Sequence, residues 1–217
     1  MFKIIIDIGH HENDSGAVNK NGLREVDLNV QIAKECTRQL KRHRIEVINT
    51  SGTLQNRVQV EHLEQPNYFV SIHNNAGGGK GCEVLVYSAK YPQLELAQNI
   101  EKELIPLNAS RGIKERPDLY VLKKTNCPAI LIECAFIDSA NVECIDELHE
   151  QQAFGKAIAR GILKTLKIDY VEESTTNTLY RVCVGAYKDK NNATKVQAEA
   201  KAKGFKNTYI VEVKDNG

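Results

Sequence analysis

Short apolar runs alternate along this chain with longer segments in which apolar residues recur every three or four positions. The short runs predict buried strands. They lie at residues 3–6, 45–48, 68–73, 82–88 and 128–132. The periodic segments predict helices with one apolar face. They lie at residues 25–42, 54–63, 91–107 and 141–166. Because strands that alternate with helices are typical of an α/β fold, we predict a twisted, mostly parallel sheet flanked by helices.

Three segments have less regular patterns. The glycine run 77–79 predicts a flexible loop that could act as a hinge. Residues 111–124 are polar and irregular apart from one apolar triplet, so we expect a loop there that covers a cleft. In the last periodic segment we expect an interruption of the helix near Gly155 or Gly161, since glycine disfavours helix interiors.

A polar segment without periodicity divides the chain. Residues 169–178 predict a linker between a first domain, residues 1–168, and a small unit, residues 179–217. The small unit shows a strand, a helix and a strand, a βαβ pattern, at about 179–184, 191–203 and 208–213. A domain of about forty residues seldom folds without help. We therefore expect this unit to pack on the first domain or on a second copy of itself.

The composition and charge limit the kinds of partner and the location that we expect for this protein. With 217 residues and 41% hydrophobic content, the chain can bury one sizeable core. Its net charge of +1 does not favour nucleic acid, and no apolar run approaches the roughly 20 residues of a membrane span. The first residues enter a strand directly, without the pattern of a secretory signal, so we expect accumulation in the cytoplasm. The six cysteines stand singly, which predicts reduced thiols in the core.

Candidate metal ligands stand where apolar segments end or begin. His10 follows the first strand, His73 ends the third, and Glu25 opens the first long helix. The carboxyl ends of strands in an α/β sheet share one edge, so these side chains are expected to meet. Two histidines and one glutamate leave an open position on zinc, as in catalytic rather than structural sites. Glu133 follows the run 128–132 and is a candidate general base.

Each of these residues also has an ordinary explanation. A histidine at a strand end is more often a satisfied structural group, and Glu25 could complement the helix dipole. Glu133 could be a loop carboxylate. Their joint placement at equivalent edges of one sheet favours the metal site. His11, beside His10, is interpreted as a spare ligand or as a group that contacts a ligand or solvent.

Several motifs resemble those of the zinc-dependent N-acetylmuramoyl-L-alanine amidases of the type 3 class. The segment Ile-Asp-Ile-Gly-His at 6–10, with 14–18 and 21–25, resembles the first motif of that family. Ser-Ile-His-Asn-Asn-Ala at 71–76 resembles the second. The last motif is matched by segments at 111–114, 119–122, 128–133 and 136–137. Together they cover residues 1 to about 168 in the order of the family.

The resemblance implies a function and a set of roles. It implies one Zn²⁺ per chain held by His10, Glu25 and His73, and catalysis by Glu133. The reaction would cleave the amide between the lactyl group of muramic acid and L-alanine in peptidoglycan, as an endolysin or autolysin does. Asn75 and Arg111 lie close to these motifs and are interpreted as groups that orient the ligands or the substrate.

Two positions depart from the family pattern. The family usually has glycine where His11 and Glu12 stand, which predicts a more crowded or more acidic site floor. The arginine that commonly follows the second strand is replaced by Ser51. Neither change affects a proposed ligand, but both could alter the choice of substrate.

The tail resembles one unit of the sporulation-related (SPOR) repeat, a peptidoglycan-binding module. The full module holds two such units, and residues 179–217 show one. We therefore expect two chains to pair their tails as a homodimer, since a lone βαβ unit buries too little surface.

Two other readings stay open. A zinc carboxypeptidase or deacetylase would use the same metal chemistry on another bond of the cell wall. A catalytically inactive wall-binding protein would act through its tail, although the complete set His10, Glu25, His73 and Glu133 disfavours it.

Overall fold

The structure, a computed structural model, describes residues 2–138, 145–173, 185–205 and 208–212. The chain divides into two compact units, Met1–Glu172 and Glu173–Gly217. The division falls inside the segment predicted as a linker, 169–178.

A six-stranded sheet forms the centre of the first unit, in the order β2-β1-β3-β6-β4-β5. Its strands are β1 (Lys3–Ile8), β2 (Glu46–Thr50), β3 (Tyr68–Asn75), β4 (Cys82–Val86), β5 (Ser110–Glu115) and β6 (Ala129–Phe136). Strands β2, β1, β3 and β6 pair in parallel, β4 pairs antiparallel with β6, and β5 pairs in parallel with β4. The carboxyl ends of β1, β3 and β6 therefore point to one edge.

Helices cover both faces of the sheet. In the first unit they are α1 (Glu25–Arg42), α2 (Leu54–Glu64), α3 (Gln93–Leu104), α4 (Tyr120–Lys124) and α5 (Leu148–Thr165). Helices α1, α3 and α5 bury their apolar faces against one side of the sheet. Helices α2 and α4 cover the other side with a smaller apolar cluster. Successive strand residues point to opposite faces, so each buried strand contributes to both clusters.

The prediction for residues 111–124 is wrong. Instead of an irregular loop, this segment contains most of strand β5 and the short helix α4. Strand β5 lies at the edge of the sheet and none of its residues is fully buried. An edge strand does not need apolar residues at alternate positions, so its sequence carries no strand pattern.

The expected interruption of the last helix is also wrong. Helix α5 runs unbroken through Gly155 and Gly161. A Cβ at Gly155 would lie 2.6 Å from the carbonyl oxygen of Ile32, and one at Gly161 would lie 2.5 Å from Cα of Ile100. Both glycines therefore allow neighbouring helices to approach α5 closely. The helix begins at Leu148, after a capping box between Glu147 and Glu150. The first predicted residues, 141–144, lie outside the described part of the chain.

The glycine loop after β3 is attached to the end of β6. Its amides Gly77 N and Gly78 N donate to the carboxylate of Asp138, at 2.8 and 3.0 Å. A Cβ at Gly79 would lie 2.5 Å from the Phe136 ring. These contacts hold the loop across the carboxyl ends of β3 and β6.

The second unit is described in part. Helix α6 (Lys190–Ala202) occupies the place of the helix predicted at 191–203. The strand predicted at 179–184 lies outside the described residues. Residues 208–212 form no strand with another described segment, although Thr208 O accepts a hydrogen bond from Gln197 Nε2 at 2.8 Å. The βαβ arrangement of this unit stays a prediction.

Two other expectations concern the described residues as a whole. Their four cysteines are unpaired, and three of them are buried. Within this part of the chain, no helix combines the length and the hydrophobicity that crossing a bilayer requires.

Candidate metal centre

The turn after β1 places His10 at the edge of the sheet. Gly9 continues the strand by donating its amide to Ile72 O at 2.9 Å, and His10 then adopts a left-handed conformation with φ 66°. The carbonyl of His10 accepts a hydrogen bond from Arg57 at 2.9 Å. A Cβ at Gly9 would come within 2.5 Å of the His73 imidazole. Only glycine at position 9 therefore leaves space for the His73 ring to face the His10 ring.

A buried ion pair between Asp7 and Arg57 supports this turn. Asp7 is fully buried, and its carboxylate accepts hydrogen bonds from Arg57 at 3.1 Å, Ser71 at 2.6 Å and Thr50 at 2.9 Å. Because Arg57 also holds the carbonyl of His10, its guanidinium ties the strained turn to Asp7 of β1, and the Asp7 carboxylate connects β1 to β2 and β3. Asp7 belongs to the motif at 6–10, but neither it nor Arg57 received a role from the sequence. The signal was an aspartate directly after the apolar strand run.

Glu25 joins the two histidine rings. Its Oε2 lies 3.1 Å from His10 Nε2, and its Oε1 lies 3.0 Å from His73 Nδ1. The amides of Ala17 and Asn74 also donate to this carboxylate, at 3.0 and 3.2 Å. Burial opposes ionisation of Glu25, but its hydrogen bonds with the two histidines outweigh that effect and hold its pKa well below the usual range. Glu25 is therefore an anion at the centre of the group.

The three residues have the geometry of a metal site. One ligand atom from each of His10, Glu25 and His73 can be chosen so that all three lie within 4.8 Å of one another. The two imidazole rings meet edge to face, with centroids 5.0 Å apart and an interplanar angle of 74°. Histidine nitrogen and carboxylate oxygen are donors that divalent transition metals accept. The sequence placed these residues at a shared edge, and the structure brings them together there.

Asp14 orients the first histidine, and the sequence reasoning assigned it no role. Its Oδ2 lies 3.0 Å from His10 Nδ1, on the side of the ring that faces away from Glu25. This contact sets which ring nitrogen is left for a metal, as carboxylates beside ligating histidines commonly do. The hydrogen bonds to Glu25 and Asp14, opposed by burial, raise the pKa of His10 to about 9. A cation that binds here must therefore displace a proton.

Gly16 lies against Glu25 and His10 and leaves no room for a side chain. It has φ +64°, and a Cβ there would lie 2.5 Å from Glu25 Oε2 and 2.5 Å from the His10 ring. Any side chain at this position would occupy the space between the two ligands. The motif at 14–18 carried this signal in its Ser-Gly-Ala sequence.

Two buried asparagines complete the support of Glu25. Asn29, one turn further along α1, donates to Gly9 O at 3.1 Å. Its own Oδ1 accepts from Asn74 Nδ2 at 2.8 Å. The two amides thus connect α1 to the ends of β1 and β3. The sequence signal for this pair is a polar residue, Asn29, on the face of α1 that is otherwise apolar.

Glu133 lies beside the candidate metal ligands but inside its strand. The sequence placed it at the end of a strand, whereas β6 continues to Phe136 because Cys134, Ala135 and Phe136 are buried and extend the sheet. In the sheet register Glu133 is the partner of His73 on one side and of Glu83 on the other. Residues paired in this way project from the same face of a sheet. The carboxyl of Glu133 therefore faces the same side as the His73 ring.

The environment of Glu133 favours its neutral form. Its Oε2 is buried and accepts no hydrogen bond from the described residues. Burial, followed by the negative charges of Glu25 and Glu83, raises the pKa of Glu133 to about 8, against the opposing effect of His10 and Arg116. Such a group can exchange a proton near neutral pH.

The three remaining predicted residues have different surroundings. Asn75 Nδ2 and Arg111 Nε both donate to Glu83, at 3.3 and 2.9 Å. The Arg111 guanidinium also lies 5.0 Å from the centroid of the Phe136 ring. His11 lies in the turn after His10, where its Nδ1 accepts from the amide of Asn13 at 3.3 Å, and it is not a member of the ligand group.

Comparison with known proteins identifies the family. The sequence matches the family described as N-acetylmuramoyl-L-alanine amidase over residues 4–164, and the SPOR domain over residues 155–212. The start of the second match lies in α5, which packs on the sheet of the first unit. The remainder extends through the second unit.

Relatives cover nearly the whole chain. The amidase CwlM of Bacillus licheniformis is 33% identical over 215 residues, which are 94% of this chain and 83% of that protein. The sporulation-specific N-acetylmuramoyl-L-alanine amidase of Bacillus subtilis is 34% identical over 223 residues, 98% of this chain and 86% of that protein. The crystal structure of the N-acetylmuramoyl-L-alanine amidase from Clostridium difficile 630 superposes with a TM-score of 0.71 at 31% identity, over 76% of this chain and 97% of that one. The chain belongs to the N-acetylmuramoyl-L-alanine amidase family.

Proposed function

We propose that this amidase holds one zinc ion with His10, Glu25 and His73, and that Glu133 moves the proton that amide hydrolysis requires. Family membership establishes the activity, cleavage of the amide between N-acetylmuramic acid and L-alanine in peptidoglycan. The observation that carries the proposal is the convergence of two imidazoles on one buried carboxylate, beside a second carboxyl that lacks a partner at one oxygen among the described residues.

The donors fit zinc better than the alternatives. Two nitrogens and one carboxylate oxygen form the set found in catalytic zinc sites with an open position. Hard cations such as Mg²⁺ and Ca²⁺ prefer oxygen ligands throughout. When bound, zinc supplies a Lewis acid that polarises the amide carbonyl and activates water near neutral pH.

Glu133 supplies the acid and base steps. Its carboxylate accepts a proton from the attacking water, whose oxygen forms the new bond to the carbonyl carbon. The carboxylic acid then donates that proton to the amide nitrogen as the carbon–nitrogen bond breaks, and the second proton of the water passes from the new lactyl carboxyl group to the amine, which leaves a lactyl carboxylate and an L-alanyl ammonium group. A pKa near the working pH suits a group that must accept and then return one proton.

The other site residues hold this arrangement in place. Asp14 keeps the Nε2 side of His10 directed at Glu25, while Arg57 and Gly9 fix the turn that carries the ring. Asn75 and Arg111 act on the other side of Glu133 through Glu83. We assign them to substrate orientation.

Metal analysis combined with digestion of cell walls tests this proposal. We expect about one zinc ion per chain, loss of wall lysis after chelation, and recovery on addition of zinc. The products should be a peptide-free glycan and peptides with a new N-terminal alanine. Release of a terminal D-amino acid would indicate a carboxypeptidase, and release of acetate a deacetylase. Full lysis by protein freed of metal would contradict the zinc proposal.

The tail contributes binding to the same polymer. The SPOR match supports attachment of this unit to peptidoglycan, which would hold the catalytic unit near its substrate. Pairing of two tails through residues 179–217 has no support in the comparisons and stays a prediction, which sedimentation across micromolar concentrations tests. Accumulation in the cytoplasm before release also stays a prediction, which cell fractionation tests.

A further inference from the structure

We propose that Arg111 and Lys114, organised by Glu83, form a subsite that binds a free carboxylate on the peptide side of the substrate. The inference rests on the proposed function, because it places this subsite next to Glu133. It assigns a role to Lys114 and Glu83, and it states which chemical group of the substrate Arg111 meets.

Sheet register places the subsite on the catalytic face. Glu83 of β4 pairs directly with Glu133 of β6, and Leu85 of β4 pairs with Lys114 of β5. Glu83 and Leu85 are two positions apart and thus project to the same face. One face of the sheet therefore carries Lys114 on β5, Glu83 on β4 and Glu133 on β6. His73 lies on the same face, beside Glu133, on β3.

The charges of this cluster do not balance. Glu83 is 7% exposed, and its Oε2 accepts hydrogen bonds from both Arg111 Nε and Lys114 Nζ. Its Oε1 accepts from the neutral amide of Asn75 at 3.3 Å. These contacts, working against burial, hold the pKa of Glu83 below its usual range. One anion thus faces two cations, and one positive charge is left over.

The neighbouring charges do not remove this excess. Arg116, the next cation along the chain, forms two hydrogen bonds with Asp118, at 2.9 and 2.7 Å. Glu115 is paired with Val86 and Lys114 with Leu85, so the two side chains project to opposite faces of the sheet. The Glu115 carboxylate accepts a hydrogen bond from the amide of Ala89 at 2.7 Å. Among the described residues Arg111 and Lys114 form ion pairs with Glu83 and not with Asp118 or Glu115, so the excess positive charge lies with these two side chains, in the row that contains Glu133.

Both cations are fixed in position and open to solvent. The Arg111 guanidinium lies over the Phe136 ring, and Nη1 donates to Lys80 O at 3.3 Å. Nevertheless the Arg111 and Lys114 side chains remain 39% and 42% exposed. A guanidinium has five N–H donors and an ammonium three, and the hydrogen bonds to Glu83 and Lys80 use only part of them. Donors that are held in place and still exposed are suited to an incoming anion.

The substrate offers such an anion. The bond cleaved joins a sugar acid to a peptide, and the peptide continues away from the scissile amide with free carboxyl groups or with their amidated forms. A carboxylate gains hydrogen bonds in which both partners are charged, together with the attraction of opposite charges, whereas the neutral oxygen of a carboxamide gains only the weaker bond to a charged donor. The enzyme should therefore prefer peptidoglycan fragments whose peptide carries a free carboxylate close to L-alanine.

The test compares two synthetic muramoyl peptides that differ only in whether this carboxyl is free or amidated. With the full-length, zinc-loaded protein, kcat/KM should favour the free carboxylate. In Lys114→Gln and Arg111→Gln the ratio of the two values should fall by roughly tenfold, the scale of one hydrogen bond to a charged group. Lys114→Arg should retain the preference because it keeps the charge. Lys123→Gln, on α4, is the matched control.

A second measurement separates binding from chemistry. In Glu133→Gln, titration calorimetry of the same two compounds should show tighter binding of the free carboxylate, and Lys114→Gln in that background should remove the difference. Equal loss for both compounds in every variant would assign the cluster to structure and overturn the subsite. If the compounds bind with the expected preference but Glu133→Gln hydrolyses them normally, the subsite stands and the proposed role of Glu133 fails.

Discussion

The surroundings of the two carboxylates of the site, Glu25 and Glu133, shift their pKa values in opposite directions. Glu25 accepts hydrogen bonds at both oxygens, from two histidines and two backbone amides, and its pKa is lowered. Glu133 has a buried oxygen without a described partner, faces two other carboxylates, and its pKa is raised to about 8. The surroundings of Glu25, in the candidate metal half, keep its negative charge, whereas those of Glu133 favour a carboxyl that can take up or release a proton near neutral pH.

This difference separates structural requirements from catalytic ones. A satisfied carboxylate contributes to folding as well as to metal binding, because its partners lose hydrogen bonds when it is removed. A buried carboxyl without partners costs stability and persists where function requires it. The following experiments test whether the two halves can be separated, in order of decreasing effect.

Glu25→Gln should have the largest effect, on metal binding. The amide has no charge to balance a divalent cation, and its NH₂ group would face one of the two histidines. We expect zinc affinity to fall by more than the 10–100-fold typical of changes outside the ligand set. Metal content after dialysis measures this. Glu35→Gln, a buried glutamate of the same helix that binds Arg38 and Gln39, is the control. Full zinc retention in Glu25→Gln would refute the ligand assignment.

Glu133→Gln should lower activity at constant metal content. The amide cannot accept the proton of water, so kcat should fall by about 10²–10⁴-fold, the usual contribution of a general base. Hydrolysis of a soluble muramoyl peptide and zinc content should be measured on the same sample. Glu103→Gln, on α3 at the other face of the sheet, is the control. A loss of zinc equal to the loss of activity would show that the two halves are not separable.

Asp14→Asn should weaken metal binding without abolishing it. The neutral amide no longer favours one orientation of the His10 ring, so zinc affinity should fall by about 10–100-fold. Competition with a coloured chelator gives this value. Asp27→Asn, which disturbs a surface pair with Arg24, should leave affinity unchanged. An unchanged zinc affinity in Asp14→Asn would mean that the turn at Gly9, held by Arg57, orients the His10 ring without a contribution from Asp14.

The smallest effect concerns stability and pH. In the folded, metal-free protein the pKa of Glu133 is about 8, against 4.5 in an unfolded chain. Below pH 4.5 both states hold the proton. Between these values only the unfolded state ionises, so the free energy of unfolding falls as pH rises, and above about pH 8 the loss is complete.

Glu133→Gln removes this loss. The metal-free variant should therefore melt higher than the wild type, with a larger difference at pH 8 than at pH 5. Since 1 kcal/mol shifts Tm by about 2–4 °C in a chain of this size, we expect a difference of several degrees. Scanning calorimetry of both proteins after chelation measures it. A difference that is equal at the two pH values would mean that Glu133 is ionised in the folded state.

The sequence was most informative where structure depends on nearby residues. Helix α1 has the predicted bounds, Glu25 to Arg42, because a strong 3.6-residue pattern continues to the residue where the helix ends. The ligand candidates were found because His10, Glu25 and His73 stand at ends of apolar segments, and parallel strands bring such ends together. Each of these signals can be read within a short window of sequence.

Long-range register was decided by the tertiary structure alone. The row of His73, Glu133 and Glu83 depends on how β3, β6 and β4 align, and no local pattern specifies that alignment. Strand β5 was not predicted, and Lys114 received no role of its own, because an edge strand has no alternating apolar pattern to reveal it. By itself the sequence determined the candidate ligands His10, Glu25 and His73 and the candidate base Glu133. Folding decided which carboxylate is satisfied and which is not, because hydrogen-bond partners and burial come from residues distant in the chain.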